Sequence, residues 1–459
     1  MAKIASAKEP WLGDSGICGM RSGMLDQLWT SIADAGRELV RGRLSGRRRP
    51  STQDLCRDLL STRGEASGAA LARELVGAYR AMGEAERLAF FAMLAEDYAA
   101  DGSRILSAVE GYRRDPTPAA VHALRRACEA PRHELFRRMN IAPGGTAAIV
   151  DLRAQLLALL PEHPELAPVD ADLHDLLGGW FNPGFLTFTR IDWNSPAALL
   201  EKFLRYERVH RMRALEDLKR RLADDRRCFA FFHPALPQEP LIFVEVALVD
   251  GMADRIQPLI DPDATVGDPA TADTAIFYSI NNCLEGLRGV TLGNFLLKLV
   301  AADLARELPT LKTFATLSPI PGFASWLREN LGRAEGDAVT GVDRVQLATL
   351  DSPDWPDDPE SAERLRLPLS RLCARYLARE KRGGRPRDAV ARFHLGNGAR
   401  LERINWLGDV SPKGLAESFG LLVNYKYDAP TIERNHELYT NNGEIVMSSM
   451  VRALLPSAS

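Results

Sequence analysis

A change of hydrophobic period near Gly178–Gly179 is the feature that most constrains what this chain can fold into. Before it, apolar residues recur at helical spacing, first at Leu25, Leu28, Ile32 and Ala35, then within ALARELVGAY (70–79) and ERLAFFAMLAEDY (86–98). Further helices are expected at 103–113, 118–129, 145–160 and 170–178, with Pro and Gly between them. No β-branched alternating run interrupts this half, so it reads as a helical bundle. After GGWFNPGF (178–185) and an expected helix over 195–223, strand-like runs take over. They are CFAFFH (228–233), LIFVEVALV (241–249), AIFYSI (275–280), LKTFATL (311–317), ARFHL (391–395) and LLVNYKY (421–427), with one strong helix over 294–308 among them. The expectation is a two-domain protein: an N-terminal all-α helical bundle over 1–178 and a C-terminal α/β domain over 179–459. The Pro- and Asp-rich stretch 351–360 is expected to be a surface loop.

Charge removes several function classes. Lys plus Arg number 58 against 61 Asp plus Glu, a formal charge of −3, which lacks the basic excess of a dedicated nucleic-acid binder. The longest charge-free stretches, 176–189 and 313–327, contain proline and fall short of the ~18 apolar residues a spanning helix needs, so no membrane span is expected. Six cysteines lie scattered without a CxxC pair, which fits reduced thiols better than a disulfide framework or a zinc site. MAKIASAKEP has no apolar signal core and the final residues are SAS, so a cytoplasmic compartment is expected. The basic segment RGRLSGRRRP (41–50) reads either as a solvated helix end and loop or as a docking patch for an anionic ligand or a subunit interface.

Three local units could carry chemistry. In AIFYSI–NNCLEGLRGVTLG–NFLLKLV a strand, a glycine-bearing loop and a long helix follow one another, which can aim backbone N–H groups and a helix N-terminus at a phosphate. It is neither a Walker A nor a dinucleotide fingerprint; it is closer to the pyrophosphate loop of acetyltransferase-like folds, with Arg288 and Gly293 fitting and Thr291 standing where a glycine is expected. A plain connecting loop is the alternative. In ATLSPIPGFASWL, Ser318 ends a strand before two prolines that stiffen the turn. It is a Ser-Pro turn starter, or a hydroxyl held rigidly to hydrogen-bond a ligand; no G-x-S-x-G elbow surrounds it. In ARFHLGNGARL, His394 precedes a Gly-Asn-Gly turn, and strands on both sides would make a hairpin. Beside a turn it is a surface or satisfied residue, or a proton donor working near neutral pH. No Cys, His or carboxylate cluster has metal spacing, so no metal is expected.

Together these segments resemble the malonyl-CoA decarboxylase family. The resemblance runs through HPALPQEPLIFVEVAL (233–248), AIFYSINNCLEGLRGVTLGNFLLK (275–298), FATLSPIPGF (314–323) and ARFHLGNGARLERINWLGDVSPKGLAESFGLLVNYKY (391–427). It implies a carboxy-lyase that converts malonyl-CoA to acetyl-CoA and carbon dioxide, without metal or organic cofactor, in a domain resembling the GCN5-related N-acetyltransferase (GNAT) fold. It places the coenzyme A phosphate loop on Arg288, Gly289, Val290, Thr291, Leu292, Gly293 and Asn294, and the catalytic pair on Ser318 and His394. Ser279 and Tyr427 become site-lining candidates. Family members resemble homo-oligomers, so the helical half, which shows no chemistry, is expected to be an oligomerisation and scaffolding module giving a dimer or tetramer. The rivals are an acyl-CoA-dependent acyltransferase and a malonyl-CoA sensor that binds without turnover.

Overall fold

A computed structural model describes residues 50–455 apart from 62–63, 291, 293–295, 333–338, 340–343, 346 and 353. The basic segment 41–49, the apolar positions 25–35, and Thr291, Gly293 and Asn294 therefore lie outside the described residues. The chain divides into two compact units: residues 1–187 with 232–239 and 284–291, and residues 188–231 with 240–283 and 292–459.

The first unit is helical, as its period implies. Its helices include Thr52–Ser61, Glu65–Ala81, Glu84–Glu96, Gly102–Arg114, Pro118–Cys128, Pro131–Met139, Gly145–Leu159 and Ala167–Trp180. Thr52–Ser61 and Pro131–Met139 are additions to the expected set. Starts are capped where the sequence allows: Asp101 accepts from the Ser103 N–H, and Thr117 caps a helix that opens with Pro118. Leu75, Phe91, Leu94, Phe136, Leu152, Leu156 and Leu173 meet with no exposed surface. Each such side chain contributes roughly 1.5–3 kcal/mol on leaving water. The core also holds Arg132, whose Nε donates to Asp172 at 2.6 Å and whose Nη1 donates to the Leu94 carbonyl at 3.2 Å, so its charge is paired.

The second unit is built on a seven-stranded sheet. Its strands are β1 (Thr187–Ile191), β2 (Arg226–Phe232), β3 (Ile242–Val249), β4 (Thr274–Asn282), β5 (Thr313–Thr316), β8 (Arg400–Asn405) and β9 (Leu422–Tyr427). β6 (Lys381–Arg382) and β7 (Arg385–Pro386) form a separate ribbon. The sheet order is β1-β2-β3-β4-β5-β9-β8. β4 and β5 run parallel, whereas β2–β3, β3–β4, β5–β9 and β8–β9 are antiparallel. The helix Leu296–Glu307 lies between β4 and β5 in the chain, the crossover a parallel pair requires. β3 is buried along almost its whole length, which explains its unbroken apolar run. A helical N-terminal unit and a unit built on a mixed α/β sheet are the two parts that the sequence led us to expect.

Three expectations are corrected. ARFHL is not a strand: Ala389–Gly396 is a helix, because Asp388 caps it by accepting from the Ala391 N–H. The Gly-Asn-Gly that reads as a hairpin turn is the helix terminator, with Asn397 at the C-cap and Gly398 at φ +80°. The helix expected over 195–223 is two, Ala197–Tyr206 and Leu215–Arg221. Glu207 divides them by accepting from the N–H groups of Val209 and His210, both at 2.7 Å, which folds its own chain into a turn. The Pro- and Asp-rich stretch ends sooner than expected, since Asp358 caps the long helix Pro359–Arg379.

Candidate active site

The site arises where two parallel strands part. Pairing of β4 with β5 ends at Phe277–Thr316, yet β4 runs on to Asn282 beside β3. Beyond Thr316 the chain turns instead to β9, Ser318 and Val423 exchanging two backbone hydrogen bonds at 2.9 and 3.0 Å. The parting leaves a cavity of about 260 Å³. Its walls are apolar side chains from β3, β4 and two helices, among them Val244, Phe277, Ile280, Leu296, Val390 and Phe393. Tyr278, Asn282, Ser318 and His394 supply the polar groups, and the described lining holds no Asp, Glu, Lys or Arg.

Ser318 and His394 meet at this cavity although 76 residues separate them. Ser318 Oγ lies 3.1 Å from His394 Nε2, and His394 Nδ1 lies 2.8 Å from the Tyr427 hydroxyl. Ser318 Oγ also donates to Thr316 Oγ1 at 2.8 Å, which in turn accepts from the Tyr425 N–H. With its one hydrogen directed at Thr316, Ser318 presents a lone pair to Nε2. Nε2 then carries the ring hydrogen, and Nδ1 accepts from Tyr427. Strand periodicity arranges the supports: Thr316 and Ser318 share one face, as do Tyr425 and Tyr427. His394 stacks on the Tyr425 ring at 4.7 Å between centroids. Burial drives its pKa down to about 3, so the imidazole is neutral at any ordinary pH. Burial likewise raises the Tyr427 hydroxyl well above its usual value.

Ser279 is placed differently. It is 1% exposed, outside the cavity lining, and on the face of β4 opposite Ile280. Its Oγ donates to Glu207 at 2.6 Å and accepts from Asn281 Nδ2 at 2.6 Å. Asn281 also donates to Glu207 at 3.0 Å, so one carboxylate ties β4 to the turn that brings Val209 into the cavity wall. Glu245 lies fully buried beside this group, with Arg221 Nε 3.2 Å from its carboxyl. Desolvation, and then the nearby Glu207 charge, raise Glu245 out of the usual carboxylate range. This polar group under the cavity, and the supporting Thr316 and Tyr425, are absent from the sequence expectation. The i, i+2 spacing of ATLS and NYKY was the one available signal for the supports.

Of the expected phosphate loop, Arg288, Gly289 and Val290 belong to the helical unit, while Leu292 is a buried residue of the other. The Arg288 side chain is largely exposed, and Gly289 adopts φ +82°, a conformation that favours glycine. Among the described residues no group of three or more His, Cys, Asp or Glu could hold a metal ion, and no helix is long and apolar enough to cross a membrane.

Two family models match the chain: the malonyl-CoA decarboxylase N-terminal domain over residues 98–181 and the malonyl-CoA decarboxylase C-terminal domain over residues 184–459. The chain is 36% identical over 411 residues to the mitochondrial malonyl-CoA decarboxylase of Anser anser anser, covering 82% of each. It is 35% identical over 415 residues to the mitochondrial malonyl-CoA decarboxylase of Mus musculus, covering 83% of this chain and 84% of the relative. Among solved structures, malonyl-CoA decarboxylase from Rhodopseudomonas palustris is similar at TM-score 0.84 and 48% identity, covering 88% of this chain and 98% of that one. Malonyl-CoA decarboxylase from Agrobacterium vitis gives TM-score 0.83 and 47% identity, with 88% and 99% covered. On these matches, which span both units, the chain belongs to the malonyl-CoA decarboxylase family.

Proposed function

We propose that this chain carries out the carboxy-lyase reaction of its family, malonyl-CoA to acetyl-CoA and carbon dioxide, through Ser318, His394 and Tyr427. The observation that carries the reading is the hydrogen-bonded chain Ser318–His394–Tyr427 at the edge of an apolar cavity. Decarboxylation leaves an electron pair on the carbon alpha to a thioester, and the thioester carbonyl takes it up as an enolate. The substrate thus supplies its own electron sink, and neither metal nor organic cofactor is required. An apolar wall suits this step, because a carboxylate held there gives up hydration without gaining a countercharge, and the charge then spreads over the thioester.

When substrate binds, the Ser318 hydroxyl turns its hydrogen from Thr316 to the malonyl carboxylate or thioester oxygen. His394, neutral at ordinary pH, passes its Nε2 hydrogen to the nascent acetyl carbon while Nδ1 takes the Tyr427 hydroxyl hydrogen. The enolate is a far stronger base than tyrosinate, so the transfer runs downhill; one solvent proton per turnover, taken up at Nε2, lets Nδ1 return its hydrogen to Tyr427 and resets the chain. The phosphates of the substrate lie against the loop Arg288–Asn294. Ser279 acts from behind β4 through Glu207 rather than by touching substrate. An acyltransferase would also need a base for an acceptor amine, and a sensor would not need the hydrogen-bonded chain.

The helical unit serves, in this reading, as a homo-oligomerisation module giving a dimer or tetramer. Leu106, Val121 and Tyr112 on its Gly102–Arg114 and Pro118–Cys128 helices are exposed by 67%, 51% and 39%, which supports that role. A monomer in sedimentation at micromolar concentration would remove it. Cys56, Cys228 and Cys373 are buried, unpaired thiols, which supports a reducing, cytoplasmic setting. The deciding experiment incubates purified protein with malonyl-CoA and a chelator, and follows acetyl-CoA and carbon dioxide. Steady product supports a metal-independent lyase. Binding without product supports the sensor, and product that appears only with an added amine supports the acyltransferase.

A further inference from the structure

The end of β4 that lines the cavity has lost one neighbour. Its pairing with β5 stops at Phe277, so the stretch 278–282 is held in the sheet by β3 alone. That stretch is also bulged: Ser279 lies opposite Glu245 and Phe277 opposite Val246, which leaves Tyr278 as an extra residue. The extra residue resets the alternation. Phe277, Ile280 and Asn282 line the cavity, while Ser279 and Asn281 turn to the opposite face. The wall is completed by the β3 partners Ile242 and Val244, and by Val209 from the turn after the helix Ala197–Tyr206.

Glu207 holds the strand end and the turn together. It is 2% exposed, and four donors converge on its carboxylate. The N–H groups of Val209 and His210 meet Oε1, each at 2.7 Å, while Ser279 Oγ at 2.6 Å and Asn281 Nδ2 at 3.0 Å meet Oε2. Only a carboxylate that has given up its hydrogen can accept from all four. Asn281 closes the link from the other side, since its Oδ1 accepts from the Arg208 N–H at 3.0 Å. Lys413 Nζ then donates to the Arg208 and Val209 carbonyls at 2.7 and 3.0 Å. Turn and strand end are thus cross-linked through charge-assisted hydrogen bonds, which are roughly twice as strong as neutral ones. Ser318 and His394 stand on other elements, the chain after β5 and the helix Ala389–Gly396, and none of these bonds reaches them.

We propose that Glu207 is a positioning residue for substrate binding: its carboxylate fixes Val209 and the bulged end of β4 as one wall of the cavity, and Ser279 works only as part of that clamp. This rests on the reading of the cavity as the malonyl-CoA site. The wall and the catalytic pair are then separable, so loosening the clamp weakens binding and leaves the proton chemistry in place.

The test measures kcat and KM for malonyl-CoA in Glu207→Gln, Ser279→Ala and the double variant, with thermal melting to show that each is folded. An amide at position 207 keeps the shape, but its NH2 faces two of the donors whichever way it turns. The backbone N–H pair cannot move away, and Asn281 cannot flip without losing Arg208. Glu207→Gln should raise KM by about 10–100-fold, the cost of a displaced site wall, with kcat within about threefold. Ser279→Ala removes one donor of the four and should raise KM by about 3–10-fold. The double variant should match Glu207→Gln within about twofold, because both substitutions break one clamp. A KM within about twofold of wild type in folded Glu207→Gln overturns the proposal; if that variant does not fold, the same result in Ser279→Ala does so. A fall in kcat of about tenfold or more overturns it by putting the lesion in the chemistry. Losses that multiply in the double variant overturn it too, because Ser279 would then meet the substrate independently of Glu207. Wild-type protein with no turnover of malonyl-CoA removes the reading of the cavity, and the proposal falls with it.

Discussion

Replacing Tyr427 by Phe removes one oxygen atom and separates proton supply from substrate binding. The Tyr427 hydroxyl donates to His394 Nδ1 at 2.8 Å, and the ring it serves is 2% exposed. Without that donor, Nδ1 is a buried acceptor with no partner, a loss of about 1–3 kcal/mol. The loss falls mainly on the transition state. As Nε2 releases its hydrogen the ring gains negative charge, and a hydrogen bond to a charged acceptor is roughly twice as strong as one to a neutral acceptor. A differential of about 3 kcal/mol corresponds to about a hundredfold in rate. Tyr427 is not among the residues lining the cavity, so KM should stay within about threefold while kcat falls by that factor. Acetyl-CoA formation at saturating malonyl-CoA, in water and in deuterium oxide, measures both parts, with thermal melting to show that the fold is retained. The solvent isotope effect on kcat should grow in the variant, because proton delivery then limits turnover. A kcat within threefold of wild type in a folded Tyr427→Phe protein would refute the relay and leave His394 to be recharged by another route.

Ser318→Ala and His394→Ala should each lose at least about a hundredfold in kcat while still melting as folded proteins, consistent with the worth of one positioned acid or base; near-normal turnover in either removes that residue from the mechanism. His394 also sets a stability slope: an unfolded histidine binds a proton near pH 6.5 whereas the folded one stays neutral to about 3, so its contribution is complete above pH 6.5 and is lost as pH falls between those values. Denaturant titrations between pH 4 and 6 should show wild type losing about 1.4 kcal/mol per pH unit more than His394→Gln, and parallel slopes would contradict a neutral buried imidazole. Glu245 has the opposite sign, since its raised pKa gives stability that is lost as pH rises above the ordinary carboxylate range, so Glu245→Gln should flatten the alkaline side of the stability curve. Gly398→Ala should lower the melting temperature by several degrees, because φ is +80° there and a Cβ would lie 2.2 Å from the Ile432 carbonyl oxygen; an unchanged melt would mean that the end of the His394 helix tolerates displacement.

What the sequence could and could not disclose follows from the range of the forces involved. The bundle and the sheet were legible because hydrophobic period is local: LIFVEVALV reads as a buried strand, and ERLAFFAML as a helix, without knowledge of a partner. ARFHL misled for the same reason. Five residues of mixed apolar character fit either state, and the decision came from outside them, from Asp388 capping one end and Asn397 and Gly398 closing the other. Those two ends were in plain view as D-A-V-A and G-N-G, and read as helix start and stop they would have given the observed element. The pairing of Ser318 with His394 lay beyond any local rule. It depends on the chain past β5 losing its pairing with β4 while Ser318 still bridges to Val423 of β9, and on a helix delivering His394 to the same place, and only the family resemblance named the two together. Ser279 shows the limit of that resemblance, which supplies positions but not directions: alternation along β4 turns its hydroxyl toward Glu207, while Ile280 faces the cavity. Arg153 was the least legible of all. A lone arginine in an apolar helix reads as surface, yet here it is buried because a turn 133 residues further along the chain offers it carbonyls, and only a fold that brings the turn back to the helix gives that charge a reason to leave water.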